Sequence, residues 1–221
     1  QITGDPKYFE WADREWWTTT DVLYDPTHHL YYRDNKFFTQ RSHTGKKVFW
    51  ARGNGWVVGG LIHVLDYLPA DHPSRPKYLG LYHDMMHALL KLQNPDGLWR
   101  TSLLDPQDPK GESSGTAFFT YAMAWGINRG LLPAETFKPA VMKGYRALAN
   151  NIQPTGMMGF IQKIGEAPDN LETGADSTEV YGSGAFLLVY AVASATSFLL
   201  IRAERARRED SGRSALDRRG G

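Results

Sequence analysis

The feature that most constrains the fold is a structural unit that occurs three times along the chain. Each unit runs from an amphipathic helix through a proline turn, a short aromatic or apolar segment and a polar loop. A small-residue motif and an almost wholly apolar helix complete it. Striped helices lie at a surface, whereas helices that are apolar all round are buried. The alternation predicts an all-α fold of the (α/α)6 toroid type, in which inner and outer helices alternate. The turn prolines are Pro26, Pro95 and Pro154, and the apolar helices are expected to open at Trp56, Phe118 and Phe186.

The same pattern predicts the helix bounds and the organisation of the chain. The small-residue openings should all lie at one end of the inner helices and line a pocket together with the polar loops. Three hairpins are half of a six-hairpin ring, so residues 1–201 are expected to form a partial toroid with exposed apolar seams. Residues 202–221 form a basic tail that we expect to be disordered. Outer helices are predicted at Asp5–Tyr24, Ser74–Gln93 and Pro133–Ile152, and the openings are Gly53/Gly55, Ser114/Gly115 and Gly182/Gly184.

Composition excludes several classes of function. The chain of 221 residues has no cysteine, which excludes disulfides and thiolate metal sites. Its net charge of +1 gives no general case for nucleic acid or a membrane as a partner. We also expect no metal and no cofactor. His83 and His87 are spaced as in zinc-binding helices but lack the accompanying glutamate, and the acidic loop with Asp105, Asp108 and Glu112 matches no standard calcium loop.

One stretch, residues 48–60, contains several side chains that could bind a ligand. It places Arg52 and two glycines between Trp50 and Trp56. We interpret it as a tight loop that feeds a helix, with Asn54 as the N-cap. Such a site could bind an anion, and flat indoles suit the apolar faces of sugar rings. The alternative is a glycine-rich start to a core helix in which the tryptophans only pack.

The assembled motifs resemble glycoside hydrolase family 105, the unsaturated rhamnogalacturonyl hydrolases, which is close to family 88. The resemblance covers roughly residues 2–189 and implies a six-hairpin α/α barrel. It also implies removal of an unsaturated uronic acid from the non-reducing end of rhamnogalacturonan or pectin fragments by hydration of the ring double bond. The matching stretches are 3–8 (TGDPKY), 23–25 (LYD), 30–34 (LYYRD), 49–56 (FWARGNGW), 92–100 (LQNPDGLWR), 112–116 (ESSGT) and 176–182 (DSTEVYG).

The resemblance also implies roles for particular residues. Arg52 would bind the uronate carboxylate or neighbouring hydroxyls, while Trp50 and Trp56 would stack on the sugar. For Glu179 a helix cap or loop brace is an equally good interpretation. Arg33 falls where some relatives place a histidine beside the substrate, which puts its direct role in doubt. The expected substrate-binding residues are Trp50, Arg52, Asn54, Trp56, Trp99, Arg100, Ser114, Thr116 and Glu179.

The resemblance places the catalytic aspartate outside this chain. In the family, that residue lies on a helix that shortly precedes the Thr-Gly-Asp motif, which here is Thr3-Gly4-Asp5. We therefore expect the acid/base upstream of Gln1 and expect the chain alone to be inactive. The aspartates at positions 13, 21, 25 and 34 do not match the family's catalytic motif.

Two other functions stay open at this point. The chain could be a non-catalytic or degenerate sugar-binding toroid fragment. A sugar epimerase of the same fold class would need histidine acid/base pairs, and the histidines here do not fall at the inner-helix openings. The partner we expect is an unsaturated oligosaccharide, and neither compartment nor oligomeric state can be inferred.

Overall fold

The computed structural model describes residues 5–106, 111–165 and 173–192. The predicted tail at 202–221 and parts of the loop at 163–178 lie outside the described residues. Two short antiparallel pairs accompany the helices: β1 (Tyr24–Asp25) with β2 (Leu30–Tyr31), and β3 (Trp99–Arg100) with β4 (Gly111–Glu112). A 3-10 turn covers Asn35–Phe38. The helices are α1 (Lys7–Leu23), α2 (Ala51–Tyr67), α3 (Arg75–Leu92), α4 (Ser113–Asn128), α5 (Ala134–Asn150) and α6 (180–192).

The helices alternate between inner and outer positions, as the repeat predicts. Inner helix α4 is buried on every side from Ser113 to Gly126. It packs against α2 on one side and against α5 on another. Helices α1, α3 and α5 bury one face each, as expected for an outer layer. Within the described residues the chain is therefore all-α and forms part of an α/α toroid.

The predicted turns and outer helices are confirmed to within two residues. Gly97 closes the turn after α3 with φ of 92°, and Gly156 closes the turn after α5 with φ of 84°. Both are left-handed conformations that favour glycine. The turns return the chain toward the N-terminal ends of α2 and α4, where Ala51 donates its N–H to Thr101 and Ser113 donates its N–H to Phe160.

The inner helices begin earlier than predicted, and Asn54 is not an N-cap. Helix α2 starts at Ala51 with Trp50 in the N-cap position, so Gly53 and Gly55 lie inside its first turns. Helix α4 starts at Ser113 and is capped by Glu112. The sequence pattern predicts Gly53 and Gly55 as loop residues, but both lie within α2. There, Gly55 allows a neighbouring side chain to pack closely against the helix.

The glycines allow α2 and α4 to cross at very short range. A Cβ atom on Gly55 would lie 2.9 Å from the Phe118 ring. A Cβ atom on Gly115 would lie 2.9 Å from the Ala51 side chain and 3.0 Å from the Ala51 backbone. Arg52 in turn contacts Tyr181 at the start of α6. The starts of α2, α4 and α6 thus lie at one end of the structure, as predicted.

Apolar side chains are exposed on α1 and α6, including Trp11 at 58% and Tyr190 at 55%. These are the first and last described helices of the chain. Across the parts of the chain that the structure covers, none of the helices has the length and apolar character needed to span a bilayer.

The crossing of α2 and α4 can be tested by adding one methyl group. Gly115→Ala should lower the free energy of unfolding by about 1–3 kcal/mol, because the clash involves backbone atoms that cannot rotate away. Gly80→Ala is the matched control on α3, where a Cβ atom would meet nothing within 4 Å. It should raise the free energy of unfolding by up to about 1 kcal/mol through helix propensity. Urea unfolding measures both, and a Gly115→Ala protein as stable as the wild type would contradict the crossing.

Candidate functional site

A groove of about 600 Å³ lies between α1, the end of β2 and the first turns of α2. Residues four apart along α1 form one wall, and the indoles of Trp50 and Trp56 contribute to the opposite wall. Apolar atoms dominate the surface, so the groove suits a ligand with flat apolar faces. The described lining residues are Trp11, Ala12, Glu15, Trp16, Thr19, Thr20, Leu23, Tyr31, Tyr32, Arg33, Trp50, Gly53, Trp56 and Val57.

The two tryptophans of the predicted site come together in this groove but differ in exposure. Trp56 is 52% exposed and packs its inner face on Phe118, with ring centroids 4.6 Å apart. Trp50 is only 8% exposed and donates its indole N–H to Gln162 Oε1 at 2.7 Å. Trp56 can therefore offer a ring face to a ligand, while Trp50 is a fixed part of the groove wall.

Asn54 joins α2 to β2. Its Oδ1 accepts the Tyr31 N–H at 2.8 Å, and its Nδ2 donates to the Tyr31 carbonyl at 3.0 Å. The amide thus pairs with both backbone groups of one residue, as a neighbouring strand would. The side chain is 1% exposed, so Asn54 orients the groove wall from behind it.

Arg52 is held by the protein's own groups. It is 5% exposed, and its guanidinium lies 4.5 Å from the Trp50 ring and 5.0 Å from the Tyr181 ring. Nη1 donates to the Gln162 carbonyl and to the Tyr181 hydroxyl, and Nη2 donates to the Lys163 carbonyl at 2.9 Å. Burial raises the pKa of Tyr181 to about 12, so its hydroxyl stays protonated. Substrate contact by Arg52 stays a prediction, and the geometry gives the side chain a bracing role.

A carboxylate of the protein itself occupies the anion position at the start of α4. Glu112 is fully buried and accepts from the Ser114 N–H at 3.0 Å, the Ser114 hydroxyl at 2.6 Å and the Gly115 N–H at 2.7 Å. It also accepts the Gln162 N–H at 3.1 Å. Because helix N-termini attract negative charge, this internal carboxylate stabilises α4 and leaves no free N–H cluster there for a ligand.

Gln162 is the centre of this polar network. Its side chain binds Trp50, its N–H binds Glu112, and its carbonyl accepts from Arg52 and Tyr181. The segment around Gln162 therefore ties the starts of α2, α4 and α6 together. Our sequence reasoning missed Gln162. The sequence pattern places Glu112 in an acidic loop, whereas its carboxylate accepts from the first turn of α4, where negative charge is stabilised.

Four other predicted site residues lie away from the groove. Trp99 is fully buried and donates its indole N–H to the Leu89 carbonyl at 2.8 Å. Thr116 accepts the Trp99 N–H at 3.0 Å. Ser114 belongs to the Glu112 cap, and Arg100 pairs with Asp96 at 2.7 Å. None of the four is among the described lining residues of the groove.

Glu179 lies directly before α6, and its carbonyl accepts the N–H groups of Gly182 at 3.1 Å and Ser183 at 3.3 Å. Glu179 therefore lies at the start of a helix, the position that the alternative interpretation as a helix cap predicts. Its side chain is half-buried and is not among the described lining residues of the groove.

A second buried carboxylate fixes the hairpin that carries Tyr31 and Tyr32. Asp25 is 6% exposed and accepts from Lys47 Nζ at 2.6 Å, the Tyr32 hydroxyl at 2.9 Å and two backbone N–H groups. Its Oδ1 also lies 3.1 Å from His28 Nδ1. Burial alone would raise the pKa of Asp25, but the hydrogen bonds from Lys47, His28 and Tyr32 outweigh it and hold that pKa well below its usual range.

The histidine pair named above has no partner set for a metal. His87 Nδ1 lies 3.0 Å from the His83 carbonyl, and the His87 ring meets Phe137 edge-on. Across residues 5–106, 111–165 and 173–192, no three His, Asp or Glu side chains converge as metal ligands.

The alternation of inner and outer helices places the chain in the α/α toroid class of folds. The glycosyl hydrolase family 88 model matches residues 1–195, and the chain belongs to that family. The chain is 42% identical over 193 residues to an unsaturated 3S-rhamnoglycuronyl hydrolase of Formosa agariphila, covering 84% of this chain and 51% of the relative. A relative of the same description from Alteromonas sp. is 38% identical over 189 residues, covering 85% and 45% respectively.

A solved structure described as glycosyl hydrolase family 88 from Bacteroides vulgatus superposes with a TM-score of 0.84 at 38% identity. The match covers 88% of this chain and 57% of that one. The chain thus spans about half the length of the relatives it matches.

The buried cap of α4 can be tested by removing its carboxylate. Glu112→Ala should lower the free energy of unfolding by about 3 kcal/mol, because it leaves several buried donors without an acceptor. Glu135→Ala removes an exposed acid from the first turn of α5 and should cost less than about 1 kcal/mol. Urea unfolding of the two variants compares the sites, and equal losses would show that burial and the four donors do not matter.

The Asp25 cluster predicts a pH dependence of stability. Because the pKa of Asp25 is lower in the folded protein than in the unfolded chain, the cluster stabilises the fold above about pH 4 and loses that contribution as pH falls. Asp25→Asn should lower stability at neutral pH and flatten the decline of stability below about pH 5. The control is Asp71→Asn, an exposed position, which should keep the wild-type decline. Unfolding curves at several pH values give the slopes, and parallel slopes for wild type and Asp25→Asn would refute the assignment.

Proposed function

We propose that this chain forms part of a glycoside hydrolase that removes an unsaturated uronic acid from the non-reducing end of an oligosaccharide. The observation that carries the proposal is the aromatic groove with the exposed face of Trp56, in a chain that belongs to family 88. Two relatives described as unsaturated 3S-rhamnoglycuronyl hydrolases support rhamnose-linked unsaturated uronates as the substrate class. We further propose that the chain falls with family 105 and represents a C-terminal half.

The proposed reaction adds water across the C4–C5 double bond of the uronate. A carboxylic acid gives a proton to C4, and water supplies the hydroxyl group that bonds to C5. The resulting hemiketal opens, and the neighbouring sugar leaves with its hydroxyl group intact. One water molecule is consumed, and no oxidant or reductant is needed.

This chain's own residues would bind and orient the sugar. Trp56 offers an indole face for the ring, and Trp50 forms the rigid wall beside it. Tyr31 and Tyr32, held by Asn54 and Asp25, form the floor next to α1. The buried network of Arg52, Gln162 and Glu112 keeps the first turns of α2 and α4 in register.

We place the acid/base outside this chain. Of the described lining residues, Glu15 is the one carboxylic acid, and its side chain is 52% exposed and 3.5 Å from Arg14. A general acid works best in a desolvated setting, whereas the Glu15 side chain is about half exposed to solvent. The coverage of about half of each relative is consistent with an acid carried by the remaining sequence.

The proposal is tested by following the loss of the ultraviolet absorbance of the double bond. The substrate is an unsaturated uronyl-rhamnose disaccharide, and the samples are the 221-residue chain and the gene product in full length. Trp56→Ala in the full-length protein should lower kcat/KM by about tenfold or more, because an indole face in contact with the sugar is lost. Tyr67→Ala, an exposed aromatic at the other end of α2, is the matched control and should leave kcat/KM unchanged.

Activity in the full-length protein alone would support the proposal and the external acid. Activity in the 221-residue chain would refute the placement of the acid. Absence of turnover in both forms would favour a sugar-binding or degenerate toroid over an enzyme.

A further inference from the structure

We infer that Arg33 is the residue that recognises an acidic substituent of the bound oligosaccharide, either a carboxylate or a sulfate ester. The inference rests on the proposed function in taking an oligosaccharide as the ligand of the groove. Its basis is the position of one exposed guanidinium in an otherwise aromatic and apolar lining.

Arg33 is the one cation among the described lining residues of the groove. Its side chain is 36% exposed, so a ligand in the groove can reach it. The surrounding walls carry little polar surface. A charge-assisted hydrogen bond gains strength in such surroundings because less water competes for it.

The backbone around Arg33 is held on both sides. Asn54 binds both backbone groups of Tyr31, and Tyr32 donates its N–H to the Leu23 carbonyl at 2.9 Å and its hydroxyl to Asp25. On the other side, Asp34 caps the 3-10 turn by accepting the Lys36 N–H at 2.9 Å. The arginine therefore extends from a fixed segment, which lowers the entropic cost of binding.

Asp34 also orients the guanidinium. Arg33 Nη1 donates a hydrogen bond to the second oxygen of Asp34. Among the described residues, Asp34 is the one hydrogen-bond partner of the Arg33 guanidinium. Guanidinium carries five N–H donors, so a pair of donors is left for a planar or tetrahedral anion. The arrangement is that of a carboxylate-positioned arginine at the edge of a ligand groove.

The other candidate cation is already committed. Arg52 is 5% exposed, and both of its terminal nitrogens donate to Gln162, Lys163 and Tyr181. An acid bound by Arg52 would have to displace buried protein contacts, whereas Arg33 requires no such displacement.

The experiment is calorimetric binding to the full-length gene product, with three probes. They are an unsaturated uronyl-rhamnose disaccharide, its carboxyl-reduced neutral counterpart, and that neutral counterpart bearing a sulfate ester on the rhamnose. Arg33→Gln should weaken binding of the acidic disaccharide by about tenfold or more and alter binding of the neutral one by less than about twofold. Lys36→Gln, a cation three residues away and outside the described lining, is the matched control and should bind like the wild type.

Two further comparisons make the result decisive. Arg33→Lys should recover part of the lost affinity, because it restores the positive charge without the planar fork. Arg33 dependence with the uronyl disaccharide alone assigns the site to the uronate carboxylate, and dependence with the sulfated neutral probe assigns it to a sulfate ester.

Equal binding of both charged probes, the uronyl disaccharide and the sulfated neutral disaccharide, by Arg33→Gln and wild type would overturn the inference. So would an equal loss of affinity for acidic and neutral probes, which indicates packing rather than charge. Failure of the wild type to bind any probe would overturn it as well. Arg33-dependent binding without turnover would instead refute the proposed reaction and leave the inference intact.

Discussion

The close crossing of α2 and α4 is the contact on which the rest of the described structure depends. Two glycines, Gly55 and Gly115, bring the helix backbones to a distance that a methyl group would prevent. The crossing sets the starts of both helices side by side. The first N–H groups of each helix are then buried and need acceptors. At the start of α4, Glu112 accepts from two of these N–H groups, and at the start of α2 the Ala51 N–H donates to the Thr101 carbonyl.

The buried charged residues of this structure hold its elements together, whereas an exposed charged residue lies at the groove. Glu112 and Arg52 are enclosed, and both bind the segment around Gln162 rather than solvent. Arg33 and the outer face of Trp56 are exposed at the groove and available to a ligand. A charged residue in a family motif can therefore be retained for the frame that holds a groove as well as for the groove itself.

Much of the architecture could be predicted from the sequence, because it depends on periodicity. The striped and fully apolar helices alternate as expected, and the turns at Gly97 and Gly156 follow from local residue chemistry. The starts of α2 and α4 could not be predicted, since a glycine needed for close helix packing has the same sequence signature as a glycine in a loop. Only the facing residue, here Phe118 or Ala51, distinguishes the two cases.

The candidate site was predictable in part for a similar reason. The spacing of Trp50 and Trp56 along one motif places them in one groove. Which side of the helix each polar residue faces depends on partners far away in the sequence. Gln162 follows Arg52 by 110 residues and Tyr181 follows it by 129, and no local pattern indicates either contact. Trp99 and Thr116 are both fully buried in the core, where the Trp99 backbone N–H donates to the Thr116 hydroxyl.

These long separations bear on how the protein folds as it is synthesised. Helices α2 and α4 can pack once the chain has emerged through residue 128, but the links from Arg52 and Trp50 must wait for residues 162 and 181. Closing loops of that length costs entropy before any contact is gained, so the rim of the groove is expected to become rigid last. Until then, the Arg52 guanidinium lacks its hydrogen-bond acceptors on the nascent chain, and Glu112 lacks one of its donors, the Gln162 N–H. The Trp50 side of the groove is thus completed by a residue that is translated 112 positions later.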